Sequence, residues 1–173
     1  MKKNNKDIFI NKETKPILVI DTDDDETIQK MISDANSQDS NVYIPLELKD
    51  INTILNAEGL TSSLTTTGKG KNAHHKSLEP LVKQYKDVKG ISAMLICFSI
   101  HETFPVMEIK EAIDELYKFF VGEEDIIYSI LIKNDLETDE VQVNTIIKRS
   151  DAKNIFHYLS EPKSQINNTQ EKQ

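Results

Sequence analysis

Clustered carboxylates follow the first apolar run of this sequence. This run, residues 17–20 (Ile-Leu-Val-Ile), is short and consists mostly of β-branched residues. The residues after it include Asp21, Asp23 and Asp25. A strand that ends in closely spaced carboxylates can present one as a nucleophile toward phosphate and the next as a general acid or base. The same oxygens can hold a hard divalent cation weakly. Asp21, Asp23 and Asp25 are therefore a candidate weak cation site, and Asp21 with Asp23 is a remote candidate for phosphoryl chemistry.

The surrounding sequence favours a structural role for these acids. The pattern resembles the haloacid dehalogenase nucleophile motif, but Asp25 stands where Thr or Val normally follows, and the later Lys and acidic pair have no counterpart. It also resembles the start of a response-regulator receiver, but residues 42–48 offer no phosphorylatable Asp. Apolar residues then recur at helical spacing, namely Ile28, Met31, Ile32 and Ala35. We prefer the interpretation that the acids cap a helix and form a solvated turn.

The remaining chemistry-bearing residues form no recognisable catalytic or metal-ligating set. His74 and His75 are adjacent, so on a helix they point about 100° apart, and we expect both at the surface. His101 and Glu102 follow an apolar run and are predicted to form a turn. Cys97 is the only cysteine, which excludes an internal disulfide and a cysteine-based zinc site. We predict no catalytic residue, no resident metal and no cofactor.

Composition narrows the class of partner. The chain has 173 residues, a formal net charge of -8 and no tryptophan. An acidic surface repels phosphate backbones and anionic lipid, so neither nucleic acid nor a membrane is expected as the main partner. No apolar run approaches the roughly 20 residues that a spanning helix needs, and no apolar stretch of a signal peptide follows the basic N-terminus. The expectation is a protein partner in the cytoplasm.

Apolar periodicity predicts the elements that would position these residues. From Leu48 onward the order is helix, strand, helix, strand, helix, strand, strand; the clearest helix covers residues 106–120 and the strongest strand is Ile91–Ile100. Pro80 requires its helix to begin late or to carry the proline in its first turn. We predict an α+β or α/β fold in two layers, with a four-stranded mixed sheet packed against two to three helices.

Three segments are predicted along the chain. Residues 1–41 form a variable N-terminal segment that carries a strand at 17–20 and a short helix at 26–36. Residues 42–149 form the main domain. Residues 150–173 are a polar tail that we expect to be largely disordered.

The predicted order of elements, and the residues between them, resemble the C-terminal domain of the bacterial tubulin-like cell division protein FtsZ. Residues 44–51 (Ile-Pro-Leu-Glu-Leu-Lys-Asp-Ile) are similar to that family's synergy loop and the helix after it. Residues 56–60 are similar to its helix exit, and residues 66–70 (Thr-Thr-Gly-Lys-Gly) to its glycine-bearing strand end. The resemblance covers residues 42–149 and implies the FtsZ C-terminal fold for them.

Two departures from the FtsZ pattern shape the functional expectation. The chain has five glycines and no Gly-rich loop like the one with which the GTPase half of FtsZ cradles phosphate. In the loop itself, Pro45 stands where the family has Asn, Glu47 stands for its first Asp, and Asp50 matches its second. The resemblance implies that Pro45, Glu47 and Asp50 form a partner interface. The changed carboxylate is expected to dock without positioning a water for phosphoryl transfer.

Three functions from different classes stay open at this point. The preferred one is a non-catalytic FtsZ-like protein that binds protein partners and caps or modulates FtsZ-type filaments through residues 45–50. For this function we predict no enzymatic activity of the chain itself, and a contribution of Glu47 to GTP hydrolysis by a partner stays an open question. The alternative is a self-associating structural or regulatory module, such as a homodimer, unrelated to filaments. The remote alternative is a phosphatase or receiver-like protein that uses Asp21 and Asp23.

Overall fold

The computed structural model describes residues 8–9, 17–18, 25–37, 42–88, 90–120 and 125–149. These ranges contain seven strands and four helices. In chain order they are β1 (Ile8–Phe9), β2 (Ile17–Leu18), α1 (Glu26–Asn36), β3 (Val42–Ile44), α2 (Leu48–Asn56), β4 (Leu60–Lys69), α3 (Ala73–Tyr85), β5 (Ile91–Ile100), α4 (Val106–Phe119), β6 (Asp125–Ile132) and β7 (Glu140–Arg149). None of the helices in these ranges is long and apolar enough to cross a bilayer.

Five of the strands form one mixed sheet in the order β3-β6-β5-β7-β4. β5 pairs in parallel with β6 and antiparallel with β7, and antiparallel pairs join β3 and β4 to the two sides. Parallel strands need a crossover connection, and α4 lies between β5 and β6 in the chain. β4 and β7 keep one register throughout, from Leu60 opposite Arg149 to Lys69 opposite Glu140. β1 and β2 form a separate antiparallel pair.

Helices cover both faces of the five-stranded sheet. α3 and α4 pack on one face, against a layer that includes Met94, Ile96 and Phe98 of β5. α1 and α2 pack on the other face, against a layer that includes Leu95 and Cys97. Because the central strand is covered on both sides, its sequence is a continuous apolar run rather than an alternating one.

The mixed α/β class is confirmed, but the predicted two layers, four strands and two to three helices were wrong. The fifth strand is β3, a segment for which the sequence pattern predicts no strand and of which only Ile44 falls in the predicted loop. The fourth helix is α1, which belongs to the segment predicted as variable and yet packs onto the sheet. Ile28 and Met31 of α1 are 1% and 0% exposed there. Burial of this amphipathic helix adds the third layer.

The expectation that the helix around Pro80 begins late or carries the proline in its first turn was also wrong. α3 begins at Ala73 and carries Pro80 in its interior. A proline has no N–H for the carbonyl four residues earlier, which here belongs to Lys76. Pro80 and Lys76 are both exposed, so that carbonyl faces the solvent side of α3. Three buried side chains of the helix, Leu78, Leu81 and Tyr85, pack on the sheet and outweigh the missing bond.

Candidate docking edge

Residues 42–50, called the docking edge below, lie at one side of the five-stranded sheet. The segment begins with β3, the outer strand, which pairs antiparallel with β6. Pro45 follows, and because it has no N–H it cannot extend the ladder. Leu46 is 5% exposed and joins the core layer of α1 and α2. The docking edge is therefore held at its middle, while the residues on either side of Leu46 face solvent.

Glu47 marks the start of α2. Its carbonyl accepts hydrogen bonds from the amides of Asp50 at 3.0 Å and Ile51 at 3.3 Å, which form the first turn. The Glu47 side chain makes no capping bond to the helix; its Oε2 lies 2.8 Å from Nζ of Lys49. The hydrogen bond to Glu47, and then the attraction between the two charges, raise the pKa of Lys49. The exposed carboxylate is thus oriented by an ammonium group of the same segment.

Exposed apolar side chains lie in the same segment as this carboxylate. Val42, Tyr43 and Leu48 are 42%, 50% and 39% exposed, and they are three of the six large apolar side chains that the described residues leave strongly exposed. Val42 and Tyr43 therefore place apolar surface on the outer strand of the sheet. Single exposed apolar residues are common, whereas a concentration in one short segment is typical of an interaction site.

The structure brings the predicted interface residues Pro45, Glu47 and Asp50 onto one edge. Pro45 and Glu47 are exposed, and Asp50 is half-buried in the first turn of α2. An acid in the first turn of a helix also stabilises it through the helix dipole. Residues 42–50 contain no serine, cysteine or histidine. This edge therefore offers a partner charge and apolar surface but no usual pairing of a nucleophile with a base.

Asp25 is the one member of the predicted acidic cluster that the structure describes. It is 4% exposed and is the N-cap of α1. Its Oδ1 accepts a hydrogen bond from the amide of Ile28 at 3.0 Å, and its Oδ2 accepts one from Ser63 Oγ on β4. Asp21 and Asp23 lie outside the described residues. Within the described ranges, no three His, Cys, Asp or Glu side chains are placed to hold a metal ion.

The surface position predicted for His74 was wrong. Its side chain is 5% exposed, with Nδ1 2.8 Å from Oε2 of Glu108 on α4. The neighbouring His75 is half-exposed and makes the equivalent contact with Glu115 at 2.7 Å. Burial, followed by the charge of His75, lowers the pKa of His74, while Glu108 and Glu111 oppose the shift. A signal was present in the sequence, because Glu108, Glu111 and Glu115 recur at helical spacing along α4.

A shallow cleft of ≈ 560 Å³ lies where α2 ends beside the first residues of β5 and β6. Ile54, Ala93 and Ile127 supply apolar lining, and Glu58 and Asp125 supply carboxylates. No histidine or cysteine is among the lining residues. The buried Cys97 is elsewhere in the core, and burial raises its pKa to about 12, so its thiol is not a ready nucleophile. Cys97 is not among the residues that line the cleft, so its thiol and the carboxylates of the cleft do not form one site.

Comparison with known proteins bears on the fold. No family model matches the chain, and no curated protein matches it. Among solved structures, an empty FtsZ dimer from M. jannaschii matches 69% of this chain at 18% identity with a TM-score of 0.57. A point mutant of FtsZ from the same organism matches 69% of this chain at 18% identity with a TM-score of 0.56.

At this level of identity the likeness concerns the fold alone: the protein has an FtsZ- or tubulin-like fold. The resemblance found in the sequence is thereby confirmed for an FtsZ-like fold, while its assignment to the C-terminal domain of FtsZ stays a prediction. The match spans 35% and 36% of the length of the two FtsZ chains, about a third of each. An activity of the whole FtsZ protein can therefore be assigned to this chain only as a proposal that experiments test.

Proposed function

We propose that this chain is a non-catalytic, cytoplasmic protein-binding domain, equivalent to the C-terminal half of FtsZ, that docks onto an FtsZ-type subunit through residues 42–50. Docking there caps or otherwise modulates a filament of such subunits during cell division. The observation that carries the proposal is the concentration of Val42, Tyr43 and Leu48 beside Glu47 at one edge of an FtsZ-like fold.

The chemistry of the docking edge suits a protein interface. Such interfaces bury aromatic and aliphatic anchors at their centre and keep charged groups at the rim. Tyr43 is a large side chain with an apolar ring and a polar hydroxyl, and Val42 and Leu48 extend the apolar surface in the same segment. Glu47 and Lys49 then form a charged rim, which favours partners whose surface carries complementary charges.

The same geometry supports docking without catalysis by this chain. The Glu47 carboxylate is engaged by Lys49 at 2.8 Å, and Pro45 stiffens the backbone before it. Attack of water on a phosphate needs placement of the water to well within an ångström. A carboxylate turned toward its own lysine does not give that placement, so any contribution of Glu47 to GTP hydrolysis by the partner requires the pair to open first.

Co-sedimentation with purified FtsZ and GTP, together with the GTPase rate across a titration of this protein, tests the proposal. We expect the wild type to bind and to change polymerisation or the GTPase rate. Tyr43→Ala should bind about 10-fold or more weakly, because loss of a buried anchor costs about 2 kcal/mol. Tyr117→Ala is the matched control, since Tyr117 is 45% exposed on α4 and Tyr43 is 50% exposed on β3.

Two results would defeat the proposal. The first is an absence of binding with polymerisation and GTPase rate unchanged. The second is an equal loss of binding in Tyr43→Ala and Tyr117→Ala, because the docking edge would then have no special part in the contact.

A self-associating module is the second candidate, and the length of β4 favours it. β4 is the outer strand on the side away from the docking edge, and it runs for ten residues in one register. An outer strand of this length offers backbone groups for pairing with another copy. Size-exclusion chromatography with light scattering separates the candidates: a stable homodimer in the absence of FtsZ favours self-association, and a monomer favours docking onto a filament.

A further inference from the structure

The face of the sheet that α1 covers is polar at its centre. Thr65, Asn144, Cys97 and Ser129 lie side by side on four neighbouring strands in direct register. Cys97 belongs to the core layer on the α1 side, so the whole row points toward that layer. The adjacent residue Phe98 points the opposite way, into the layer of α3 and α4.

Several buried polar atoms in this region lack a hydrogen-bond partner within the described residues. They are Asn144 Nδ2 in the polar row, Ser99 Oγ two residues beyond Cys97, and Oδ2 of Asp34 on α1. A buried polar group without a partner costs about 1–3 kcal/mol. Lifting α1 would let water bond these atoms and so remove part of that cost.

Polar contacts hold α1 across the strands. The first contact joins the N-cap residue of α1 to β4, and the last joins α1 to the residue that follows β6. The pairs are Asp25 with Ser63, Thr27 with Thr65, Lys30 with Gln142, and Asp34 with Lys133. Lys30 and Asp34 also act electrostatically on the thiol of Cys97, which places α1 close to that residue. α1 is thus held by these polar contacts together with its buried Ile28 and Met31. When α1 lifts, water replaces the polar contacts, so that part of the attachment is largely compensated.

We propose that α1 is a strap that opens as a unit, lifting from the sheet while β4 to β7, α3 and α4 stay folded. The open state uncovers Cys97, Asn144 and Ser129, which are buried in the closed state, whereas Thr65 at the end of the row is already exposed. Opening also bears on the docking edge, because α1 ends at Asn36 and the docking edge begins at Val42, a short distance along the chain. Binding of a partner at the docking edge then shifts the equilibrium between closed and open α1, and opening of α1 changes the affinity for that partner. This coupling rests on the proposed function, whereas the opening of α1 does not.

Cys97 is a built-in probe of this motion. It is the only cysteine of the chain and is 0% exposed. A closed thiol with a pKa raised to about 12 by burial does not react, so modification of Cys97 by a disulfide reagent requires opening. We expect labelling of the full chain with a much weaker urea dependence than global unfolding, because lifting one helix exposes less surface than unfolding the domain.

A matched pair of substitutions separates the strap from global unfolding. Ile28 on α1 and Ile109 on α4 are 1% and 0% exposed, and valine at either position removes one methyl group. Ile28→Val should accelerate Cys97 labelling about fivefold, since it weakens only the closed state. Ile109→Val should lower the urea midpoint of unfolding but leave the labelling rate unchanged, since α4 is packed in both the closed and the open state.

The proposal is overturned if both variants accelerate labelling in proportion to their loss of global stability. It is also overturned if the labelling rate of the wild type has the urea dependence of global unfolding. Amide hydrogen exchange on the wild-type chain gives a check that needs no variant. The amides of residues 28–35 should exchange through an opening of lower free energy than those of Ile91–Ile100, and equal values would contradict the strap.

Discussion

Nδ1 of His74 and Oε2 of Glu108 meet at 2.8 Å across the boundary between α3 and α4, with the imidazole almost fully buried and the carboxylate half-exposed. The ring of His75 lies 4.0 Å from that of His74, centroid to centroid. Positive charge on both rings is therefore unfavourable, and burial disfavours it further at His74. The contact couples the packing of the two helices to the protonation of one residue.

The free energy of unfolding should fall as the pH drops below 6.5. The folded state holds the pKa of His74 below its ordinary value of 6.5, mainly through burial. The unfolded chain therefore takes up this proton at a higher pH than the folded chain, and acidification favours unfolding until His74 of the folded state protonates as well. Urea titrations at several pH values between 7.5 and 5 measure the slope, and His74→Gln should flatten it.

His101→Gln is the control for this pH experiment. His101 lies in the turn after β5 and hydrogen-bonds Thr103 within two residues, away from the boundary of α3 and α4. The variant should keep the wild-type slope. An unchanged slope in His74→Gln would show that other groups carry the pH dependence.

Lys148→Met should stabilise the protein. Lys148 is 4% exposed, and burial lowers its pKa. Over the part of the chain that the structure describes, its ammonium forms no ion pair with a carboxylate. Replacing a buried charge by an apolar side chain of similar length removes the desolvation penalty, so the free energy of unfolding should rise by about 1–2 kcal/mol. Urea denaturation at neutral pH measures this difference.

Lys133→Met is the matched substitution and should have the opposite effect. Lys133 pairs with Asp34, whose side chain is only 10% exposed. Loss of the lysine leaves that carboxylate without its partner, which destabilises the folded state. A loss of stability in Lys148→Met as large as in Lys133→Met would mean that Lys148 has a favourable partner.

Gly68→Ala should destabilise the protein more than Gly70→Ala. A Cβ at Gly68 would lie 2.0 Å from the carbonyl oxygen of Ala73 and 2.6 Å from the amide nitrogen of Ser77, both at the start of α3. These backbone atoms cannot yield without moving α3 off β4, so we expect a loss of about 2–3 kcal/mol. Thermal and urea unfolding measure the loss.

Gly70→Ala supplies the comparison for this steric effect. Gly70 has a φ of 71°, and a Cβ there would meet only Oδ2 of Asp139 at 3.8 Å. The expected loss is about 1–2 kcal/mol from the left-handed backbone alone. If Gly70→Ala proved the more damaging variant, the close approach of α3 to β4 would not be the constraint at Gly68.

Asp25→Ala should lower the free energy of unfolding by about 1–2 kcal/mol, because α1 loses its N-cap and Ser63 loses its acceptor. Asp25→Asn should lose less, since its amide oxygen can still accept from the amide of Ile28. Added Mg²⁺ should leave the stability of the wild type unchanged if Asp25 serves as a cap alone. A stabilisation by Mg²⁺ that disappears in Asp21→Asn would instead support the cation site.

Sequence periodicity predicted the best-defined elements for a clear physical reason. The apolar run at Ile91–Ile100 has no gaps because β5 is covered on both faces, and the residues of α4 repeat with the helical period because one side of it packs on the sheet. These are local signals of a fixed burial pattern. They suffice to order the strands and helices of the main domain along the chain.

The errors occurred where a local signal is short or ambiguous. β3 has three residues and ends before Pro45, too few to distinguish a strand from a loop. Pro80 is a strong helix breaker in isolation, but the packing of α3 against the sheet offsets one missing hydrogen bond. The burial of His74 depends on where α4 lies relative to α3, which no window of sequence contains.

The sequence by itself determined a mixed α/β domain of FtsZ-like fold, the candidate residues Pro45, Glu47 and Asp50, and the tendency of Asp25 to cap a helix. Only the tertiary structure decided that α1 completes a third layer, that Val42, Tyr43 and Leu48 are exposed in the same segment as Glu47, and that buried Asn144, Cys97 and Ser129 lie side by side on the sheet face of α1. The spacing of apolar residues indicates which side of a helix or strand is buried, and this spacing can be read from residues that are close together in the sequence. Which elements meet depends on strand order and register, and those are fixed by contacts between residues far apart in the sequence.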